Sequence, residues 1–299
     1  MAIMEKLDVE RLLRGNTWLD HFGESVQQAV NAAFEDSGQP GIVARNFLNG
    51  TWLGHPLHAA LSDTPIGLWT GTAIFDLVGL VTGARRFQRA ADLCAGLGVG
   101  AAILTAMAGL ADFSKVEDPA REEAALHGII NGVALSTYVS SLIQRSRGNR
   151  GAAVLLGLLG YGLITVGADL GGHLVYNLGT LVSRQAWKNP PGDFTAVLPS
   201  SVLGEGEMRS ANANGFQVLL ARVNGEIYAI GNVCTHWGCS LAEGRLLDRT
   251  VQCPCHGSEF SLRNGLAVRG PASEPEPFFE VRERNGQIEV RLAPISVPV

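Results

Sequence analysis

The chain has 299 residues, of which 46 % are hydrophobic and only 17 % are charged. This charged fraction lies well below the roughly 25 % of ordinary soluble domains, and 37 glycines are also typical of membrane helices. The apolar content excludes a mostly disordered chain. The net charge of −5, without a basic stripe, excludes a nucleic-acid-binding protein. The length favours about two domains.

Residues 1–50 are predicted to form an amphipathic helical tail. Apolar residues recur at helical spacing across residues 18–36, which predicts a helix lying on the bundle or on the membrane surface. The first 20 residues mix acidic and basic side chains without an apolar run, so we expect no cleavable signal peptide.

Four apolar stretches follow, near residues 59–82, 93–111, 124–143 and 151–176. Each is long enough to cross about 30 Å of hydrocarbon as a helix. They predict a four-helix transmembrane bundle over residues 51–182, embedded in a lipid bilayer and joined by a linker, 183–195, to the next domain. A soluble helical core is the alternative, but the chain has few charges to cover it. Asp76 lies deep in the first stretch, and we expect it to bond a Ser or Thr hydroxyl on a neighbouring helix.

The loops between these stretches predict their orientation. Two short loops on one face carry six arginines: Arg85, Arg86, Arg89, Arg145, Arg147 and Arg150. An excess of arginine marks the cytoplasmic side of a membrane protein. We therefore expect a multi-pass protein of the bacterial inner membrane, with both termini on the periplasmic or extracellular side.

In an up-and-down bundle, the odd spans begin and the even spans end at the same face. Polar residues of the predicted bundle gather at that face, which is opposite the arginines. They are His55, His58, His127, His173, Asp112 and Asn131. Ionisable residues at membrane depth are functional candidates by default. The group is consistent with a haem site, a quinone site, another metal site or a structural cluster. If haem b binds, His58 and His127 are the expected axial ligands, with His55 and His173 in reserve.

After residue 192 the pattern changes to short alternating apolar runs separated by turns such as Asn224-Gly225 and Asn285-Gly286. This pattern predicts a small all-β domain over residues 196–299. The expected fold class is therefore α + β multidomain, with a transmembrane helical bundle followed by an all-β domain.

Four of the five cysteines lie in this domain, in two short segments. Cys234 and His236 form a Cys-x-His pair, and Cys253 and His256 form a Cys-x-x-His pair; 16 residues separate the two pairs. Two loops that each present a thiolate and an imidazole are able to hold a two-iron cluster. A mononuclear zinc site is the alternative for the same four ligands.

This segment resembles the Rieske [2Fe–2S] proteins over roughly residues 193–297. The resemblance implies that Cys234 and Cys253 bind one iron and that His236 and His256 bind the other. Cys239 and Cys255 match the pair that forms a disulfide between the cluster loops in Rieske proteins of cytochrome bc complexes.

Two further positions match residues that tune the cluster in that family. Ser258 matches a serine that hydrogen-bonds a bridging sulfide, and Phe260 stands where the bc-type pattern has a tyrosine. The resemblance implies single-electron transfer, and it identifies no catalytic residue in this chain.

The first half resembles a bacterial family of four-span membrane proteins of unassigned function, over roughly residues 45–180. The match rests on Gly54-His55-Pro56-Leu57-His58, Asp63-Thr64-Pro65-Ile66-Gly67 and the 171–176 end of the fourth span, with His127 and Asn131. It supplies no established chemistry.

The two resemblances together suggest a membrane-anchored Rieske protein that passes electrons between a quinol, or a membrane cofactor, and an extracytoplasmic acceptor. The alternative is a tethered Rieske ferredoxin that serves a separate enzyme, with the bundle acting only as an anchor. The sequence leaves open whether the chain is the redox subunit of a quinol-linked oxidoreductase, part of a larger complex or a homo-oligomer. A ring-hydroxylating oxygenase is disfavoured, because no further domain is available for a mononuclear iron site.

Overall fold

The computed structural model describes residues 17–118 and 120–294. These residues divide into two compact units. The first contains residues 17–41 and 57–180, and the second contains residues 42–56 and 181–294.

Within residues 17–294, two shorter helices precede four long ones. They are α1 (Thr17–Asp36), α2 (Gly38–Asn49), α3 (Leu57–Thr82), α4 (Arg85–Phe113), α5 (Ala120–Ser146) and α6 (Arg150–Tyr176). By length and composition, α3 to α6 are able to cross a membrane. Each contains one of the four expected apolar stretches, so the predicted helical bundle is confirmed.

Close helix packing in the bundle depends on small residues. Helices α3 and α5 lie diagonally, because α3 packs against α4 and α6, and α5 packs against the same two helices. Trp69 of α3 stacks on Tyr138 of α5 with 4.0 Å between ring centroids. A Cβ on Gly98 would lie 2.3 Å from the Trp69 Nε1, and one on Gly160 would lie 2.4 Å from the Thr137 hydroxyl oxygen. These glycines let the helices approach closely around the aromatic pair.

Asp76 bonds arginines rather than the hydroxyl group expected from the sequence. Its carboxylate pairs with Arg145 and, at 2.6 Å, with Arg150. Both arginines also pair with Asp92, which lies 2.7 Å from the Arg145 Nη1. The sequence places both arginines in a loop, out of reach of Asp76, and that prediction was wrong. Arg145 lies in the last turn of α5, and its side chain is only 4 % exposed.

The predicted tail helix begins, among the described residues, at Thr17, and it packs on the bundle. Leu19 is buried against Ala125 of α5. Asp20 forms an ion pair of 2.6 Å with Arg121, and the Gln27 amide donates to the backbone oxygens of Phe113 and Val116. Residues 1–16 of the expected tail lie outside the described residues.

The second unit contains two antiparallel sheets. The larger sheet has the order β1-β10-β9-β4-β3-β2, and the smaller has the order β5-β6-β7-β8. The strands are β1 (Thr195–Pro199), β2 (Met208–Ala213), β3 (Phe216–Val223), β4 (Glu226–Gly231), β5 (Arg245–Leu247), β6 (Thr250–Gln252), β7 (Glu259–Ser261), β8 (Ala267–Arg269), β9 (Phe278–Arg284) and β10 (Gln287–Leu292). Phe260 of the smaller sheet and Leu262, which follows β7, share a core cluster with Leu219 and Ile230 from the larger sheet. The expected all-β domain is confirmed.

Two segments outside the expected all-β domain belong to the second unit. Residues 42–56 pack on it through Asn46, whose side-chain oxygen accepts from the Gly270 N–H at 3.0 Å. The expected linker also packs on it, since the Arg184 N–H donates to the Thr235 oxygen at 3.1 Å. The division at residues 50 and 183 that the sequence suggested therefore differs from the division in the structure.

We expect Asp76→Asn to destabilise the bundle by about 3–5 kcal/mol, because it leaves the buried Arg145 and the partly buried Arg150 with less compensating charge. Thermal unfolding in detergent, followed by circular dichroism, measures the effect. Asp118→Asn is the control, since the Asp118 side chain is 66 % exposed in its ion pair with Arg121 and should contribute less than about 1 kcal/mol. Equal unfolding temperatures for the two variants would contradict the structural role of Asp76.

Candidate functional site

Two loops with the same backbone hydrogen bonds build the site. The first follows β4, and its Cys234 N–H donates to the Cys239 oxygen while the Gly238 N–H donates to the Cys234 oxygen. The second follows β6 and repeats this pattern: the Cys253 N–H donates to the Ser258 oxygen and the Gly257 N–H donates to the Cys253 oxygen.

A glycine is required at the same point of both loops. Gly238 has φ of 87° and Gly257 has φ of 75°, in the region that side-chain-bearing residues rarely adopt. The two loops therefore turn in the same way and present their side chains in equivalent directions.

The structure brings the four predicted metal-binding residues together as two like pairs. The thiols of Cys234 and Cys253 are buried and hydrogen-bond each other, which raises the pKa of Cys234 and lowers that of Cys253. The rings of His236 and His256 meet edge to face with 5.0 Å between centroids. Two sulfur donors beside each other, with two imidazoles beside each other, suit a cluster with one iron on each pair.

A disulfide joins the loops as the resemblance implied. Cys239 of the first loop is bonded to Cys255 of the second, with 6.5 Å between their Cα atoms. The sulfurs of Cys239, Cys253 and Cys255 all lie within 4.8 Å of one another. The disulfide therefore links the loops directly beside the buried thiols.

Ser258 and Phe260 lie behind the second loop. The Ser258 hydroxyl oxygen accepts from the Ala272 N–H at 3.0 Å, which leaves the hydroxyl hydrogen available to another acceptor. The Phe260 ring is fully buried in the same core cluster as Cys234 and Cys253. The Phe260 side chain therefore supplies no hydroxyl donor to the cysteine ligands.

Sequence reasoning missed two polar side chains behind the first loop. Glu276 is fully buried, and its carboxylate accepts from the Thr235 N–H at 2.7 Å. Gln185 donates to the other oxygen of this carboxylate at 3.2 Å. Neither residue belongs to a motif, so the contact depends on the tertiary fold alone.

In the membrane unit, His58 and His127 meet between the diagonal helices with 6.3 Å between ring centroids. The His58 Nδ1 lies 3.0 Å from the Thr105 oxygen, and the His127 Nδ1 lies 2.9 Å from the Gly167 oxygen. Asn131 contacts the other ring nitrogen of His127 at 3.2 Å. Two histidines and Asn131 thus form one polar group.

The sequence predicts three further members of this group. The His173 Nδ1 is 2.9 Å from the Glu123 carboxylate. Asp112 is buried near the end of α4. His55 belongs to the second unit and is exposed.

Comparison with known families covers both halves of the chain. Residues 54–184 match the family described as Predicted membrane protein (DUF2231). Residues 193–288 match the Rieske [2Fe-2S] domain.

Several curated proteins are similar to the second half. The ferredoxin component of the naphthalene 1,2-dioxygenase system of Pseudomonas putida is 32 % identical over 33 % of this chain and 93 % of its own length. The ferredoxin subunit of 3-phenylpropionate/cinnamic acid dioxygenase of Escherichia coli strain K12 is 40 % identical over 25 % of this chain and 72 % of its own length.

Among solved structures, the complex of reduced oxygenase and oxidized ferredoxin in carbazole 1,9a-dioxygenase is 31 % identical, with a TM-score of 0.32. The match covers 33 % of this chain and 94 % of that one.

These matches confirm both expected families, the [2Fe–2S] cofactor and the multi-pass membrane character. The chain belongs to the Rieske [2Fe–2S] proteins, and it joins a Rieske domain to a membrane domain of the DUF2231 family.

Proposed function

We propose that this Rieske electron-transfer protein is anchored in the membrane by α3 to α6 and receives its electrons from a quinol. The observation that carries the electron-transfer role is the pairing of two buried thiols with two adjacent imidazoles. Cys234 and Cys253 hold one iron in this proposal, and His236 and His256 hold the other. When bound, a cluster of this type accepts and releases one electron at a time.

The protein residues around the four ligands determine how electrons reach this site. The first loop buries His236, whereas His256 is only half buried beside the exposed Pro254 and Cys255. A redox partner therefore approaches from the His256 side. Held by these four residues, a bound [2Fe–2S] cluster would supply electron transfer and would leave no position on iron for an organic substrate.

The polar group in the bundle supports a quinol donor. Each imidazole Nδ1 donates to a backbone oxygen in this proposal. The other ring nitrogen of His127 then accepts from the Asn131 amide, and the other ring nitrogen of His58 is an acceptor for a quinol hydroxyl. A haem between His58 and His127 would require the two imidazole rings to move apart, and each ring packs closely against a glycine of a neighbouring helix. A Cβ on Gly109 would lie 2.8 Å from the His58 ring, and one on Gly171 would lie 3.1 Å from the His127 ring. A small head group is therefore the better occupant.

The names of the ferredoxin relatives support a second candidate function. Those proteins are components of dioxygenase systems. By analogy, the Rieske domain here would serve a separate oxygenase, and the bundle would only tether it. This candidate requires no ligand in the bundle.

We place the Rieske domain outside the cytoplasm in this proposal. A disulfide persists in an oxidising compartment, and Cys239 and Cys255 are bonded. Arginines concentrate where α3 joins α4 and where α5 joins α6, mostly within the adjoining helix ends, and they favour the cytoplasmic side for that end of the bundle.

We expect Cys253→Ser and His256→Cys each to abolish a Rieske-type EPR signal, because one iron loses a ligand. EPR of the reduced purified protein measures this. Cys94→Ser changes a free cysteine of α4 and should leave the signal intact. A wild-type signal in either ligand variant would overturn the assignment.

We expect Phe260→Tyr to raise the reduction potential, since a tyrosine hydroxyl near the cysteine ligands stabilises the more negative reduced state. Ser258→Ala should lower the potential, because it removes a hydrogen-bond donor. Redox titration followed by EPR measures both. Phe194→Tyr is a control, because that ring lies under Arg282 and Arg291 rather than in the core with the ligands. A tyrosine variant without an upward shift would refute the first expectation.

We expect His127→Ala to slow reduction of the cluster by a quinol in detergent micelles, because it removes the ring that packs against His58 in the bundle site. Stopped-flow absorbance measures the rate. His21→Ala, on the exposed surface of α1, is the matched control and should react like the wild type. If both variants react at the wild-type rate, the tethered-ferredoxin candidate is favoured instead.

A further inference from the structure

A buried carboxyl group lies directly behind the first cluster loop. Glu276 is only 2 % exposed, and Thr235, which donates its N–H to this carboxylate, lies between Cys234 and His236 in the chain. The ion pairs among the described residues do not include Glu276. Burial without a cationic partner is costly, and it raises the pKa of Glu276 to about 8.

Gln185 holds this carboxylate from the other side. Its side-chain nitrogen donates to Glu276 at 3.2 Å and to the Val233 oxygen at 2.8 Å. Gln185 precedes the residues that match the Rieske family, which begin at 193. A residue from the segment that leads out of the membrane bundle is therefore part of the cluster surroundings.

Two more contacts hold the same loop. The Arg184 N–H donates to the Thr235 oxygen at 3.1 Å, and the Arg184 guanidinium lies 5.1 Å from the centre of the Trp237 ring. Arg184 and Gln185 therefore hold the backbone of residues 233–237, which include two of the proposed cluster ligands, by hydrogen bonds.

The backbone leaves room for this arrangement at Gly231. A Cβ there would lie 2.6 Å from the Glu276 carboxylate and 2.7 Å from the Gln185 side-chain nitrogen. A glycine at the end of β4 thus lets both polar groups reach the loop.

We propose that Gln185 and Glu276 form a clamp that positions the first cluster loop, and that the Glu276 carboxylate lowers the reduction potential of the cluster. The proposal rests on the ligand assignment made above. When it is ionised, a carboxylate in a buried site opposes the addition of an electron nearby, so it favours the oxidised state. Both residues are positioning residues, since neither contacts a metal in this assignment.

Glu276→Gln tests the charge, because glutamine has nearly the same shape and no charge. We expect its reduction potential at pH 9, where the wild-type carboxyl group is mostly ionised, to lie above that of the wild type. Redox titration followed by EPR measures the shift. Glu283→Gln is the matched control, since it removes the same charge from an exposed residue of β9 that pairs with Arg222 at 3.1 Å. Its potential should not move.

Gln185→Ala tests the clamp separately, in case the Glu276 variant does not fold. We expect changed EPR g-values and a lower unfolding temperature of the cluster-free protein, because the Val233 oxygen and the carboxylate lose a buried donor. Wild-type g-values in Gln185→Ala, or equal potentials in Glu276→Gln and Glu283→Gln, would overturn the proposal. Absence of a Rieske signal from the wild-type protein would instead overturn the proposed function.

Discussion

The second unit depends on one constraint: two loops that are distant in sequence must present two thiols and two imidazoles at one place. The backbone meets this constraint by forming the same turn twice. In each loop the N–H of the ligand cysteine donates to the backbone oxygen five residues later, and its oxygen accepts from the N–H of a glycine four residues later. That glycine has a positive φ, which allows the turn. The disulfide between Cys239 and Cys255 then joins the two turns. Once the loops are held in this way, the ligand side chains need little further ordering.

The surroundings of these loops act on the electron rather than on a substrate. Reduction adds negative charge to a buried site. A hydrogen-bond donor such as the Ser258 hydroxyl therefore favours the reduced state, whereas a carboxylate such as Glu276 favours the oxidised state. In our proposal the chain combines one influence of each sign, and Phe260 places a phenyl ring where another donor is possible. This combination favours a potential below the upper end of the Rieske range.

The membrane unit follows the opposite rule, with an apolar outside and a partly polar inside. Arg145 is buried in the last turn of α5, and the carboxylates of Asp76 and Asp92 compensate its charge. His58, His127 and Asn131 form a second polar group, in which each imidazole reaches a backbone oxygen of a neighbouring helix. Polar groups in an apolar medium need such partners, and the glycines of the bundle bring the helices close enough to supply them.

The sequence by itself determined the two-part architecture, the four long apolar helices and the [2Fe–2S] motif. These depend on local composition and on short spacings such as the one between Cys234 and His236, which are visible along the chain. Tertiary structure alone decided the partners of Asp76, the contact of Gln185 with Glu276, and the packing of residues 42–56 with the Rieske domain. Each of these joins residues more than 60 positions apart or depends on how a segment folds back. No periodicity or motif encodes such a contact, because it arises only when separate elements pack together.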